Sequence, residues 1–561
     1  MLKKSRLLIM ALVFTMLLTA CGGGGGNKPA NQNTGKENGE TEVAEFEPGK
    51  VDGVLDINIA SEPETIDPQL NTSVDGAIIA SHLFESLIRW DDDGQGNAIL
   101  KPGIAESWDV SEDGLTWTFH LRDAKWSDGK PMTAGDFVYT WNRLVDPKTG
   151  ADYEYMLDMV KGYDSEDKKL DISAPDDKTF VVNLNVKCPY FEEICAFPAV
   201  MPVREDVVSN ETWTTDAATL ISNGPYKLEK WDHNSQLILT KNEEYYDAES
   251  VKAEKLNFHL QDDQNAIYAS YRSGDLDFIE SVPQEEVTKL LETKELKVLP
   301  QVGTYFVCFN TEKPPFDDAK VRKAFSLAID RDFIVKQVTG QGQEPASGYV
   351  PAGVYDAEGA EGKDFRTTGG DYYSVKVEDY DKNVEEAKKL LEEAGYPNGE
   401  GFPQIEYLYN TNENHKAIAE ALQNMWQEKL GVQVTLQNQD WNVFLTERKQ
   451  GNFNIARHGW IADYNDPMSF IDMWMTGGGN NDAQYSNPKF DEFVKAAKST
   501  SDQKERMENM HKAEDILIGE DSVVAPIYFY TNSYMAKPNI NGIYYTHTTY
   551  RYIIYRYIYI L

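Results

Sequence analysis

Apolar and polar positions alternate along Val54-Leu55-Asp56-Ile57-Asn58-Ile59, a period of two that predicts a half-buried strand, closed by Ser61-Glu62-Pro63. Asp75 to Trp90 instead spaces its apolar residues as a helix does, until the Asp91-to-Gly96 cluster breaks the pattern. Leu115 to Leu121 alternates again and predicts a strand. Ala134 to Leu144 predicts a helix with Thr133 as its N-cap. Asn223-Gly224-Pro225-Tyr226 marks a turn into a strand over Lys227 to Trp231, with Leu237 to Thr240 as its hairpin partner. Two further helices are expected: Val384 to Ala394, closed by Gly395 and Pro397, and His415 to Leu430, closed by Gly431. Gln433 to Gln437 follows as a strand. Strands and helices mix without a repeat period, so the chain is α/β in the broad sense and neither solenoid nor propeller.

The N-terminus carries a different pattern. Lys3, Lys4 and Arg6 precede an apolar run from Leu7 to Leu18 interrupted only by Thr15. A hydrocarbon core needs about 20 apolar residues, so the run is too short to span it and residues 1–20 read as an export signal. Leu18-Thr19-Ala20-Cys21 resembles the lipobox of bacterial lipoproteins, in which the peptide is cut before the Cys and the thiol carries diacylglycerol. The alternative is an ordinary signal peptide with Cys21 incidental. Gly22 to Lys50 has almost no apolar residues and cannot bury enough surface to fold. Residues 21–50 are therefore expected to form a lipidated tether reaching roughly 30 Å.

Composition narrows the function. Of 561 residues, 54 are basic and 92 acidic, a net charge of −38 that argues against nucleic-acid partners and electrostatic membrane adhesion. With 41% hydrophobic and 12% aromatic residues, disorder is also a poor reading, and the length suggests two to four domains. Asp91-Asp92-Asp93-Gly94 resembles a calcium loop only superficially, because Pro102 stands at the twelfth position where a bidentate Glu is needed; a solvated turn is the better reading. Eight scattered His form no metal pattern, and neither His-Glu-x-x-His nor Gly-x-Ser-x-Gly occurs, so no catalytic residue, metal or cofactor is expected. A secreted hydrolase is a remote alternative, since the many carboxylate pairs leave a glycosidase open by counting alone. Cys188 and Cys195 either pair as a disulfide in this exported chain or stay as two thiols. His547 to Leu561 repeats Tyr-Arg-Tyr and Tyr-Ile and reads either as a C-terminal strand or as an aggregation-prone tail.

Four blocks make a resemblance specific: Ala105 to Pro147, Asn223 to Asp247, Tyr271 to Asp277 continuing through Gly303-Thr304-Tyr305-Phe306 and Lys313 to Asp330, and Trp441 to Phe470. In this order they resemble the oligopeptide-binding components of ABC importers, the solute-binding family 5 of dipeptide and oligopeptide receptors, from about residue 51 to 540. The resemblance implies a bilobal periplasmic-binding-protein-like α/β fold of the large three-domain class. Lobe I would comprise 51–86, 210–302 and 531–561, an extra domain 87–209, and lobe II 303–530, with a hinge around 303 and 530. It implies a monomeric, lipid-anchored receptor outside the cytoplasmic membrane that binds an oligopeptide and serves ABC permease and ATPase subunits. Same-family cargoes such as a dipeptide, a signalling peptide, a nickel chelate or a sugar are the alternatives.

A receptor for many peptides must bind what peptides share: an ammonium, a repeating backbone and a carboxylate. By resemblance, Asp463 pairs with the amine, and Arg448, Arg457 and His415 receive the carboxylate of peptides of differing length. Backbone recognition is expected near Thr304 to Phe306 and Arg457 to Ile461, which includes Tyr305, Gly459, Trp460 and Ile461. Trp441, Trp460, Tyr271 and Tyr153 align with site aromatics, and Thr72, Ser73 and Val74 with a ligand-contacting loop. The chain departs from the family at Gly303 and Ile461, where a bridging Cys pair is absent. It departs again at Cys308, which stands where the family carries a ligand-facing Glu, and at Phe306, which replaces a Tyr.

Overall fold

A computed structural model describes residues 53–93, 98–543 and 559–560. The export signal, Cys21, the tether, Gly94, Gln95 and Gly96 of the acidic turn and all of the 547–561 tail but Tyr559 and Ile560 lie outside the described residues. Ten strands form one sheet path: β1 (Val54–Ile59), β2 (Tyr226–Asp232), β3 (Gln236–Lys241), β4 (Lys255–Leu260), β5 (Phe278–Ile279), β6 (Lys297–Phe309), β7 (Ile405–Asn410), β8 (Val434–Gln439), β9 (Ile455–Ile461) and β10 (Val524–Ala536). Their spatial order is β8-β7-β9-β6-β10-β5-β1-β4-β3-β2. β1 pairs in parallel with β4 and β5, and β7 in parallel with β8, while β6 runs antiparallel to both β9 and β10. The two thirteen-residue strands β6 and β10 thus join the two halves of the path, and their ladder is irregular between Pro300 and Thr304, opposite Thr531 and Phe529.

Residues 105–183 build a separate four-stranded antiparallel sheet, Ala105–Val110, Thr116–Leu121, Thr179–Asn183 and Ile172–Asp176 in spatial order. The helix Ala134–Val145 packs on it. Its entry is fixed as the sequence suggested, with the backbone N–H of Thr133 donating to Asp136 at 2.8 Å. At the C-terminus, Ile540–Asn541 pairs with Tyr559–Ile560, so these two residues of the expected tail are in a strand.

One helix is shorter than its pattern. α1 covers Val74–Leu83, and Phe84 is already extended. From there long-range partners take the backbone: Glu85 N–H donates to Asn223 at 3.1 Å, and the Ser86 and Leu87 carbonyls accept from Ile104 and Gly103. Ile88–Asp92 then pairs as a hairpin with Ala98–Pro102. Apolar residues at 84, 87, 88 and 90 satisfy either period, and the tertiary partners decide. Asp91 is not a solvated turn residue; it is buried and meets Arg89 at 3.1 Å and Lys101 at 3.5 Å.

Cys188, Cys195 and Cys308 are free thiols, so the candidate Cys188–Cys195 disulfide is not formed. The one-turn helix Phe191–Ile194 separates the two; its first N–H binds the Cys188 carbonyl, and the Cys195 N–H closes it on Phe191. Burial pushes both thiols well above the ordinary thiol range, which keeps them protonated and unreactive.

Candidate functional site

A cavity of about 340 Å³ opens where five parts of the chain converge. They are the loop entering α1, Tyr153, the start of the helix α2 (Glu413–Leu430), the helix α3 (Trp441–Lys449), and the facing strands β9 and β10. Thr72, Ser73 and Val74 form one wall. The wall is rigid because buried Asn71 brackets it: its amide donates to the Ser73 carbonyl at 2.8 Å and its oxygen accepts from the Ser73 hydroxyl at 3.1 Å. The Ser73 hydroxyl in turn caps α1 by accepting from Gly76 N–H at 3.2 Å. A Cβ on Gly76 would fall 2.0 Å from the Asn71 oxygen, so only glycine lets this loop close.

β9 supplies the opposite wall, with Arg457 through Ile461 all bordering the cavity. Its pairing to β7 stops at Ile455 and Ala456, whereas its pairing to β6 runs from Ile455 to Ile461. Beyond Ala456 the second edge of β9 therefore has no strand beside it among the described residues and faces the cavity. This is the geometry in which an extended chain can add as a strand. Gly459 sits where any side chain would strike the Tyr530 hydroxyl, 2.1 Å from an added Cβ.

Thr304 to Phe306 behaves otherwise. Those residues pair with β9 on one side and β10 on the other, so their backbone is fully used and unavailable to a ligand. Tyr305, Phe306 and Cys308 are wholly buried and do not border the cavity, which corrects their expected place in the pocket. They form its support: Phe306 stacks on His458 with centroids 4.6 Å apart, and the Tyr305 hydroxyl meets His415 Nδ1 at 3.3 Å. Tyr271 is also corrected. It belongs to a satellite core with Ile267, Leu276 and Met535, and the Lys537 ammonium donates to its carbonyl at 2.6 Å.

The expected cations differ in how far they are occupied. The Arg448 guanidinium meets Asp482 at 2.6 Å, and His458 Nε2 lies 3.1 Å from the same carboxylate. Burial alone would raise the Asp482 carboxyl; Arg448 and His458 reverse this and hold it below the usual range. Burial and the Arg448 charge push His458 down to about 4, so it is neutral at pH 7. Burial, with Arg457 nearby, likewise holds His415 well below its ordinary value. His415 borders the cavity as a neutral ring and not as the cation the sequence suggested. Arg457 is the exception: it forms no ion pair with any described carboxylate, and its Nε is buried without a hydrogen-bond partner. Its guanidinium lies over the rings of Tyr305 and Trp441, 5.4 and 5.9 Å from their centroids.

Asp463 follows β9, is buried and, like Tyr305, Phe306 and Cys308, does not itself border the cavity, although its neighbours Tyr153, Trp460 and Ile461 do. Its Oδ1 accepts from the Tyr153 hydroxyl at 3.3 Å and its Oδ2 from the Ser469 hydroxyl at 3.2 Å. Tyr153 and Trp460 border the cavity with rings 6.2 Å apart, and the Trp460 indole N–H donates to the Ser469 carbonyl at 2.7 Å. Sequence reasoning missed Glu64, Asp152, Lys449, Asp482 and Tyr530, all of which border the cavity. Tyr528 and Tyr530 alternate along β10 and were legible as a strand face, but nothing local marks Asp482 as a partner of Arg448. Among the described residues no group of three His, Cys, Asp or Glu is placed to hold a metal ion, and no helix is long and apolar enough to cross a membrane.

Comparison with known proteins follows this geometry. Residues 100–482 match the family model described as bacterial extracellular solute-binding proteins, family 5 Middle. The oligopeptide-binding protein OppA of Bacillus subtilis is 36% identical over 560 residues, covering 96% of this chain and 97% of that protein. The crystal structure of Haemophilus influenzae OppA in complex with RPPGFSPFR superposes with a TM-score of 0.83 at 34% identity, covering 91% of this chain and 100% of that one. The murein tripeptide binding protein MppA of Escherichia coli gives 0.82 at 33% identity, covering 90% and 98% of the two chains. An unliganded open form of MppA falls to 0.59 at the same identity, with 91% and 98% covered. The arrangement seen here is therefore nearer to that of the peptide complex than to that of the unliganded open form.

Proposed function

Because this chain belongs to the bacterial extracellular solute-binding proteins of family 5, we propose that it is the receptor of an ABC importer that captures oligopeptides between two lobes and delivers them to the permease and ATPase subunits. The observation that carries the reading is the edge of β9 over residues 457–461, which no described strand pairs, bordering a cavity beside a guanidinium in no ion pair with any described carboxylate. An extended peptide satisfies both at once, its backbone adding to the edge and its terminal carboxylate meeting Arg457. His415, being neutral, assists as a hydrogen-bond donor. Asp463 takes the peptide ammonium beside the Tyr153 hydroxyl. Trp441, Trp460 and Tyr153 give the side chains apolar contact without selecting among them. Arg448 is held by Asp482 and serves only a ligand able to draw it away.

In this reading, lobe II (303–530) closes on lobe I (51–86, 210–302 and 531–561) and on the extra domain (87–209), bending where the β6–β10 ladder is irregular. Cys21 carries the lipid that anchors a monomeric receptor on the outer face of the membrane, and residues 22–50 tether it. The test is mass spectrometry of small molecules released by denaturing the purified protein. Peptides of a few residues are expected; recovery of non-peptide solutes alone would overturn the reading.

A further inference from the structure

Bound charge in the cavity is not balanced. Glu64, Asp75, Asp152, Asp262, Glu280 and Asp482 border it, against Arg448, Lys449 and Arg457. Two of the three cations are already taken, Arg448 by Asp482 and Lys449 by Asp152. The third, Arg457, would be taken by the carboxylate of any peptide bound as proposed above. Glu64 and Asp262 then remain without an ion pair to any described cation. Glu64 is the clearest of them: exposed, at the loop before α1, and in no ion pair with any described cation. Although the residue as a whole is exposed, partial enclosure of its carboxyl raises that group, with the Asp152 charge adding and Lys449 and Arg448 opposing, so a further positive charge brought near would favour its ionised form. A negative, partly enclosed wall focuses its field on what enters.

We propose that this receptor prefers peptides carrying basic side chains, with Glu64 as the carboxylate that meets a lysine ammonium or arginine guanidinium in the closed cavity. The inference rests on the peptide-receptor reading and deepens it.

The experiment is calorimetric titration of the ligand-stripped protein with tetraalanine and with its single-lysine and single-glutamate variants at each position. At one position or more, the lysine peptide is expected to bind roughly tenfold tighter than its glutamate counterpart. Glu64→Gln should narrow that ratio to roughly threefold, and raising the salt from about 50 to 500 mM should narrow it in the unmodified protein, which needs no variant to fold. Equal affinities for lysine and glutamate peptides at every position would overturn the preference while leaving peptide binding intact. No binding of any peptide would overturn the receptor reading and this inference with it.

Discussion

At the scale of single residues, the site is governed by which charges are already neutralised. Arg448 and Arg457 lie nine positions apart and are indistinguishable as sequence, yet Asp482 occupies the first while the second has only aromatic rings around it. Removing the charge of Asp463 is predicted to leave a peptide ammonium without its counter-charge. Asp463→Asn should weaken tetrapeptide binding by about 2–4 kcal/mol by calorimetry; an unchanged affinity would remove Asp463 from the amine role. Asp482→Asn should free Arg448 without touching Arg457. The expected result is that affinity for a peptide with a second carboxylate rises by roughly threefold to tenfold, and no change would show that Arg448 lies out of reach of the ligand.

At the scale of elements, the decisive contrast is between β6 and β9. Both carry motif residues, but β6 is interior, paired on two sides, and β9 has a free edge beyond Ala456. Gly459→Ala would press a methyl against the Tyr530 hydroxyl, so stability should fall by about 1–3 kcal/mol by denaturant titration and peptide affinity should fall with it. Much of this scale was legible in the sequence. β1 was found to the residue, the Thr133 cap and the Gly431 stop stand where their chemistry put them, and Gly431 takes the left-handed conformation at φ 73°. What was not legible depends on contacts distant in sequence. Nothing in Thr304-Tyr305-Phe306 reveals that two strands flank it, and nothing in Tyr271 separates a satellite core from a ligand wall. The helix expected to run to Trp90 stops at Leu83 because Asn223, 139 positions later than Phe84, takes the backbone of Glu85.

At the scale of the molecule, buried groups meet across segments far apart in the chain. Tyr190 stacks on Tyr464 with centroids 4.2 Å apart, and the Glu193 carboxylate accepts the Asn465 N–H at 3.0 Å. Burial pushes the Glu193 carboxyl up to about 7, with the Asn465 N–H opposing and the Asp466 and Glu192 charges adding to the rise. In an open receptor it would return towards 4.5, so closing takes up a proton. The sign follows: closure is fully favoured below about pH 4.5 and loses that advantage as pH rises through about 7. Peptide affinity should fall by roughly tenfold from pH 5.5 to 8 and flatten in Glu193→Gln; equal slopes in the two proteins would assign the dependence elsewhere. The central claim, that the lobes close around a peptide, is tested most directly by solution X-ray scattering of the ligand-stripped protein with and without a saturating mixture of tetrapeptides. A contraction of the particle on adding peptides is predicted, and identical scattering profiles would contradict the account.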